Sequence, residues 1–305
     1  MKYRVIGDIH GRDNWHKLIK PFNKNTMYIF VGDYTDPYYG EERDVTYEKM
    51  VEEIKFMLKF KKKHKDNVIL LLGNHDMQYI IKESETYRFD KKHCQELFKL
   101  FEDNKDLFHG VAYNIGNKYM ITHSGIANKW FHNNIGQYFG EYTKDAYTLD
   151  KISNHINKLW ENNVETFTFD KNVTHIYDSD GSSESHSPVW IRPYALWDHN
   201  LFGFNGDVVQ VIGHTRYVPL FKKEIDLMGR ITTFCTHKCV IPEEDIKRNG
   251  LDFYIHDEEG NGCALTINKE NEDIVNLILV DCLSTETACI EIDDETMTWK
   301  KIIKE

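Results

Sequence analysis

A chain of 305 residues, 41% of them hydrophobic, can bury a large core as one large domain or two small ones. No apolar stretch reaches the roughly 20 residues a membrane span needs, and a formal net charge of −11 argues against non-specific nucleic-acid binding. Six scattered cysteines (94, 235, 239, 263, 282 and 289) suit reduced thiols in a cytoplasm better than a disulfide framework. The N-terminal "MKYRVIGDIHG" enters a strand pattern at once, with no signal-peptide layout.

In chain order, short apolar runs read as buried strands: "YRVI" (3–6), "MYIFV" (27–31), "VILLL" (68–72), "YMIT" (119–122) and "VVQVI" (208–212). Helical patterns lie between them. Met50, Val51, Ile54, Met57 and Leu58 share one helical face, with Asp44 or Thr46 as the cap and "KFKKKHK" (59–65) as a cationic close. Strands alternating with helices give an α/β architecture. The second half, from "LDFYIHDEEGNG" onward, reads as successive strands facing or extending the first sheet. "YDSDGSSESHSP" (177–188) reads as a loose loop. "CTHKC" (235–239) resembles half a zinc site but has no second Cys/His pair at suitable spacing.

The chemistry gathers at the strand ends. "GDIHG" (7–11), "GDYTD" (32–36), "GNHD" (73–76), "HSG" (123–125) and "GHT" (213–215) each follow an apolar run. Open α/β sheets bind ligands outside the carboxyl ends of their strands. Five strands therefore deliver Asp8, His10, Asp33, Asn74, His123 and His214 to one edge. Mixed carboxylate, amide and imidazole donors suit Mn²⁺, Fe or Zn²⁺, and their number suits two ions sharing a carboxylate.

These five motifs, in this order, resemble the calcineurin-like metallophosphoesterases, most of all the phosphoprotein phosphatase branch with its bacterial, phage and diadenosine-tetraphosphatase-like members. The resemblance implies a two-sheet β-sandwich core flanked by helices, as one domain over 1–305 with a substrate-covering insertion at about 126–190. It implies two divalent ions, manganese first, with Fe, Zn or Ni as alternatives. Asp8, His10 and Asp33 would hold one, and Asp33, Asn74, His123 and His214 the other. A water activated between them would attack phosphorus in line, with His75 protonating the leaving oxygen and Asp36 pairing to His75.

One departure is plain. The phosphatase pattern carries an arginine after the second aspartate of "GDYTD"; here Pro37 and Tyr38 stand instead. The cations available to replace it are Arg12, Arg192, Arg216 and Arg43, with Arg192 in "WIRP" preferred. "GNHD" in place of "GNHE" is a smaller departure. The expected function is a phosphoester hydrolase of the serine/threonine phosphatase or phosphomonoesterase type, acting in the cytoplasm on a phosphorylated partner. The alternatives are a nucleotide or nucleic-acid phosphate as substrate, and a catalytically silent binding scaffold.

Overall fold

The computed structural model describes residues 1–38, 45–84, 86, 88–136, 148–169, 183–192, 196, 208–215, the strand backbones between 224 and 268, and 277–304 apart from 282 and 284–286. Arg43 and Arg216 lie outside the described residues, as do 177–182 of the expected loose loop.

Strands β1 (Lys2–Ile6), β2 (Thr26–Phe30) and β3 (Val68–Leu70) run parallel. Strand β13 (Ala288–Asp293) adds antiparallel beside β1, and β14 (Thr298–Ile303) beside β13. The sheet order is β14-β13-β1-β2-β3. A second sheet is built on another parallel set, β5 (Tyr119–Thr122), β6 (Val209–Ile212) and β12 (Leu277–Leu279). Strand β4 (Ala112–Ile115) edges it on one side; β11 (Ala264–Asn268) and β10 (Asp252–Ile255) extend it on the other. A short meander, β7 (Glu224–Ile225), β8 (Ile231–Cys235) and β9 (Cys239–Pro242), forms a third sheet. Cys235 and Cys239 are paired positions at the end of the β8–β9 ladder, so "CTHKC" spans a hairpin connection.

Side chains alternate across a strand, so each strand of the first sheet feeds two cores. Val5, Ile29 and Val31 pack with Ile121, Val211 and Ile278 in the cluster between the two large sheets. Ile6, Tyr28 and Phe30 belong to the other cluster, with the helices. Helix α2 (Tyr47–Lys63) buries Met50, Val51, Ile54, Met57 and Leu58 there, all five residues the periodicity selects. Thr46, not Asp44, caps it: the Thr46 hydroxyl accepts the Lys49 N–H at 3.3 Å. At its other end Lys61 turns inward to the Lys65 and Val68 carbonyls, so this part of the cationic run seals a helix end.

The remaining described α-helices are α1 (Trp15–Leu18), α3 (Asn74–Ile81), α4 (Cys94–Asp103), α5 (Asn128–Asn134) and α6 (Leu149–Asn162). Helix α6 packs on β4, where the Asn157 side chain accepts from the Val111 and Ala112 N–H groups and donates to the Ala112 carbonyl. The described half of the expected loose loop is not loose. Ser185, His186 and Ser187 are buried, and the Ser124 N–H donates to Pro188 O at 2.8 Å. Its polar composition disguised a segment whose backbone is tied to α5 and to the loop after β5. Among the described residues no helix is long and apolar enough to cross a membrane.

Candidate active site

Because β1–β3 are parallel and β5, β6 and β12 are parallel, the carboxyl ends of both sets can share one edge of the sandwich. Asp8 follows β1, Asp33 and Asp36 follow β2, Asn74 opens α3 after β3, His123 follows β5 and His214 follows β6. All six expected ligands come together there and are buried, none more than 6% exposed. The turns that aim them are strained. His10, Asp33, Asp36 and His214 all have positive φ, between 46° and 61°, a region that costs a non-glycine residue on the order of 1 kcal/mol or more. Two glycines are dictated by close approach. A Cβ on Gly73 would lie 2.2 Å from Asp33 Oδ1, and one on Gly213 would lie 2.1 Å from Asp8 Oδ1.

The ligand atoms fall into two groups that share one member. Asp8, His10 and Asp33 form one; Asp33, His123 and His214 form the other; within each, the atoms lie within 4.8 Å of one another. Asn74 Oδ1 sits 3.0 Å from both His123 Nε2 and His214 Nδ1. Asp33 Oδ1 accepts the His75 N–H at 2.9 Å, leaving Oδ2 between His10 Nε2 at 3.5 Å and His123 Nε2 at 3.4 Å.

The three imidazoles repeat one arrangement. Each has one ring nitrogen against a main-chain carbonyl: His10 Nδ1 on Thr35 O (2.7 Å), His123 Nδ1 on Val31 O (2.9 Å) and His214 Nε2 on Trp190 O (3.0 Å). A carbonyl only accepts, so the proton sits on that outer nitrogen. The inner nitrogen of each ring then faces carboxylate or amide oxygens, which also accept. His10 Nε2 has no hydrogen-bond partner among the described residues. Either the inner nitrogens are protonated or a cation lies among them. Burial, with Arg88 for His10 and Arg192 for His214, holds both rings well below the usual imidazole range, against protonation. Burial also opposes charge on His123, but Asp33 and Asp8 outweigh it and push that ring up to about 9. Fixing a ring by its outer N–H is how ligating histidines are commonly oriented. His10 and His214 therefore fit divalent cations, and His123 pairs with the Asp33 carboxylate that both ligand groups share.

The carboxylates agree. Burial, then nearby Asp281, pushes Asp8 well above the usual carboxylate range. Burial would raise Asp33 too, but His123 and His75 outweigh it and hold that group well below the range. Asp281, at the end of β12, is a sixth strand-end contribution that the motif reading missed. Its "LVDC" repeats the apolar-run-then-acid signal of the other strands.

Beside the ligands stands the pair expected from the sequence. His75 Nδ1 lies 2.8 Å from Asp36 Oδ2, and Tyr79 and Gln78 also donate to the Asp36 carboxylate. Burial raises the Asp36 pKa despite these partners. Arg192 lies beside His214, donating to His214 O at 2.7 Å and Thr215 Oγ1 at 3.2 Å. Arg12 is buried under Tyr38, its guanidinium 5.5 Å from that ring and donating weakly to the Asp8 and Ile9 carbonyls. Arg88 was not among the cations read from the sequence, yet it touches His75, the Asp36 carbonyl and the Tyr38 ring.

The family model described as calcineurin-like phosphoesterase matches residues 1–216. A serine/threonine-protein phosphatase of Caenorhabditis elegans, C23G10.1, is 26% identical over 133 residues, which is 41% of this chain and 27% of that protein. The match thus spans about a quarter of the length of this curated relative. A solved serine/threonine phosphatase from Saccharomyces cerevisiae, described as similar to human phosphatase PP5, is 24% identical over 41% of this chain and 38% of its own, with a TM-score of 0.30.

Proposed function

Since the chain belongs to the calcineurin-like phosphoesterase family, we propose that it hydrolyses phosphoesters with two divalent ions, as a serine/threonine-type phosphatase or phosphomonoesterase. The observation that carries this reading is the pair of ligand groups with Asp33 common to both, lined by imidazoles whose outer nitrogens are already committed to carbonyls. Asp8, His10 and Asp33 hold one ion; Asp33, Asn74, His123 and His214 hold the other. Manganese is the first choice, with Fe, Zn or Ni as alternatives, since mixed oxygen and imidazole donors suit all of them. Bound, the ions supply Lewis acidity that lowers the pKa of water and offsets charge on phosphoryl oxygens.

The chain's own residues supply the rest. His75 holds the proton for the leaving oxygen at Nε2, while Asp36 fixes the ring through Nδ1. Arg192 binds the phosphoryl group from the His214 side with a planar fork of donors. The segment from about 126 to 190, of which 137–147 and 170–182 lie outside the described residues, is assigned substrate selection because its described part meets the ligands through Trp190 O on His214. The phosphorylated partner is a protein. The cytoplasm is the proposed location, consistent with the free thiol of Cys94.

A second reading, a nucleotide or nucleic-acid phosphate, rests on Pro37 standing where the phosphatase branch has arginine. A panel assay in Mn²⁺ decides between them. Phosphopeptides turned over at least tenfold better than nucleotides and dinucleoside polyphosphates support the first reading. The reverse order supports the second, and no turnover of any ester overturns both.

A further inference from the structure

The position after Asp36 lacks a cation, and the structure brings one there from elsewhere. Arg88 lies on the connection between α3 and α4. One guanidinium nitrogen, Nη1, donates to the Asp36 carbonyl at 2.7 Å. The other, Nη2, donates to His75 Nε2 at 2.5 Å. The guanidinium carbon lies 3.9 Å from the centroid of the Tyr38 ring, a close cation–π contact. The residues that replace the arginine thus receive one: Pro37 leads the chain directly to Tyr38, and Tyr38 is the platform for Arg88.

The placement is built rather than accidental. Phe89 stacks on Tyr79 at 5.0 Å, and the Asp90 N–H donates to Tyr79 Oη at 2.9 Å. Thr86 donates twice to Gln78 Oε1. Tyr79 and Gln78 are the same two side chains that hold the Asp36 carboxylate. One cluster therefore sets His75, Asp36 and Arg88 together.

We propose that Arg88 binds the substrate's phosphoryl group from the His75 side, taking the place of the cation missing at Pro37, while Arg192 stands at His214. This rests on the phosphoester-hydrolase reading. An arginine has five N–H donors, and Arg88 commits two to the contacts named above. In the free protein its Nη2 rests on His75 Nε2, the nitrogen that must carry the proton for the leaving oxygen. Phosphate arriving beside Tyr38 draws Nη2 onto a phosphoryl oxygen, and Nε2 is left free of Arg88. The Asp36 carbonyl and the Tyr38 face remain as the pivot. No bond is made or broken in this step; one hydrogen bond is exchanged for a charge-assisted one.

The test uses the Mn²⁺-loaded protein, with orthophosphate binding followed by calorimetry and turnover followed on p-nitrophenyl phosphate and phenyl phosphate. Arg88→Ala is expected to weaken orthophosphate binding at least tenfold and to lower kcat/KM about 10²–10³-fold on both esters equally, as for a lost transition-state donor. Arg88→Lys should recover part of both, because a point charge replaces the fork. Metal content should match wild type in both variants. If Arg88 merely orients His75, Arg88→Ala will leave orthophosphate binding unchanged and penalise phenyl phosphate, the poorer leaving group, far more than p-nitrophenyl phosphate; that result overturns the proposal while leaving the hydrolase reading intact. Wild-type protein that binds no orthophosphate also overturns it. Wild-type protein that turns over no ester overturns the hydrolase reading, and this proposal with it, even where orthophosphate still binds through Arg88.

Discussion

Asp76 accepts the backbone N–H of Asp33 at 2.7 Å, across 43 residues of sequence. The same carboxylate accepts from Tyr34 N at 2.8 Å and Gly73 N at 3.0 Å, so it ties the turn after β2 to the start of α3. Burial and the Asp33 charge push Asp76 up to about 8, against three N–H donors that favour its ionised form. A cation on Asp33 offsets the second of these. The aspartate of "GNHD" thus fixes the loop that carries the shared ligand. Asp76→Asn turns an amide N–H₂ toward backbone donors. It should destabilise the metal-free protein by about 2–3 kcal/mol, the cost of leaving one or two buried donors unmet. Urea unfolding of the metal-free protein checks this; a loss under about 0.5 kcal/mol would contradict the role assigned here.

Asp33 and Asp36 lie three residues apart and should fail in different ways. Asp33 Oδ2 faces both His10 and His123, whereas the Asp36 carboxylate faces His75, Gln78 and Tyr79. Asp33→Asn should therefore strip the metals, read by elemental analysis after dialysis. Asp36→Asn should keep two ions per chain and lower kcat by on the order of 10²–10⁴, the usual worth of a general acid. Metal loss in Asp36→Asn with retention in Asp33→Asn would reverse the assignment.

Arg192 gives a third test. Its Nη1 is spent on His214 O and Thr215 Oγ1, which holds the guanidinium beside the second ligand group. Arg192→Ala should raise KM and lower kcat, with a combined loss of roughly 2–4 kcal/mol in kcat/KM, because a fork on phosphoryl oxygens binds more strongly as charge builds. Arg192→Lys should recover only part of this. A kcat/KM for Arg192→Ala within threefold of wild type would move the role to Arg12 or Arg216.

What the sequence made legible was whatever is local. Each ligand lies in a short glycine-bearing motif that follows an apolar run, so Asp8, His10, Asp33, Asn74, His123 and His214 could be picked one motif at a time. The buried face of α2 was legible for the same reason: five residues at helical spacing need only their own segment. Partnerships across the fold were not. Arg88 lies in "TYRFDKK", where nothing nearby in sequence sets it apart from a solvated cation; the contacts of Thr86, Phe89 and Asp90 with Gln78 and Tyr79 bring it to His75. Asp76 reads as a minor variant of a motif until Asp33 is beside it. The second parallel set was half visible, because β12 is only three residues long and joins β6 from 65 positions away. Residues 177–188 read as loop from serine, aspartate and glycine content, which reports local turn preference and not the burial found at 185–187.

The last expectation concerns stability away from the site, where pH can be varied without disturbing the chemistry. Glu291 on β13 meets Arg4 Nε at 3.0 Å, Lys2 Nζ at 3.2 Å and Lys300 Nζ at 3.4 Å, with its own side chain 6% exposed. Arg4 also donates to Leu18 O at 2.7 Å, so the pair links β13, β1 and α1. Burial alone would raise the Glu291 pKa, but the bonds from Arg4 and Lys2 outweigh it and lower that value. A depressed folded pKa means that the unfolded chain binds the proton first. The stabilisation is therefore present above the unfolded value of about 4.3 and fades as pH falls through the folded one. Lys2 and Lys300 are largely exposed, so solvent screens their share. Glu291→Gln should cost about 1 kcal/mol at pH 7, held mostly by the Arg4 contact. Thermal unfolding of both proteins should show a constant gap from pH 7 to pH 5 that narrows as pH approaches 4. A gap that widens on acidification would mean that Glu291 is not stabilised as a carboxylate, and that its neighbours hold it by packing alone.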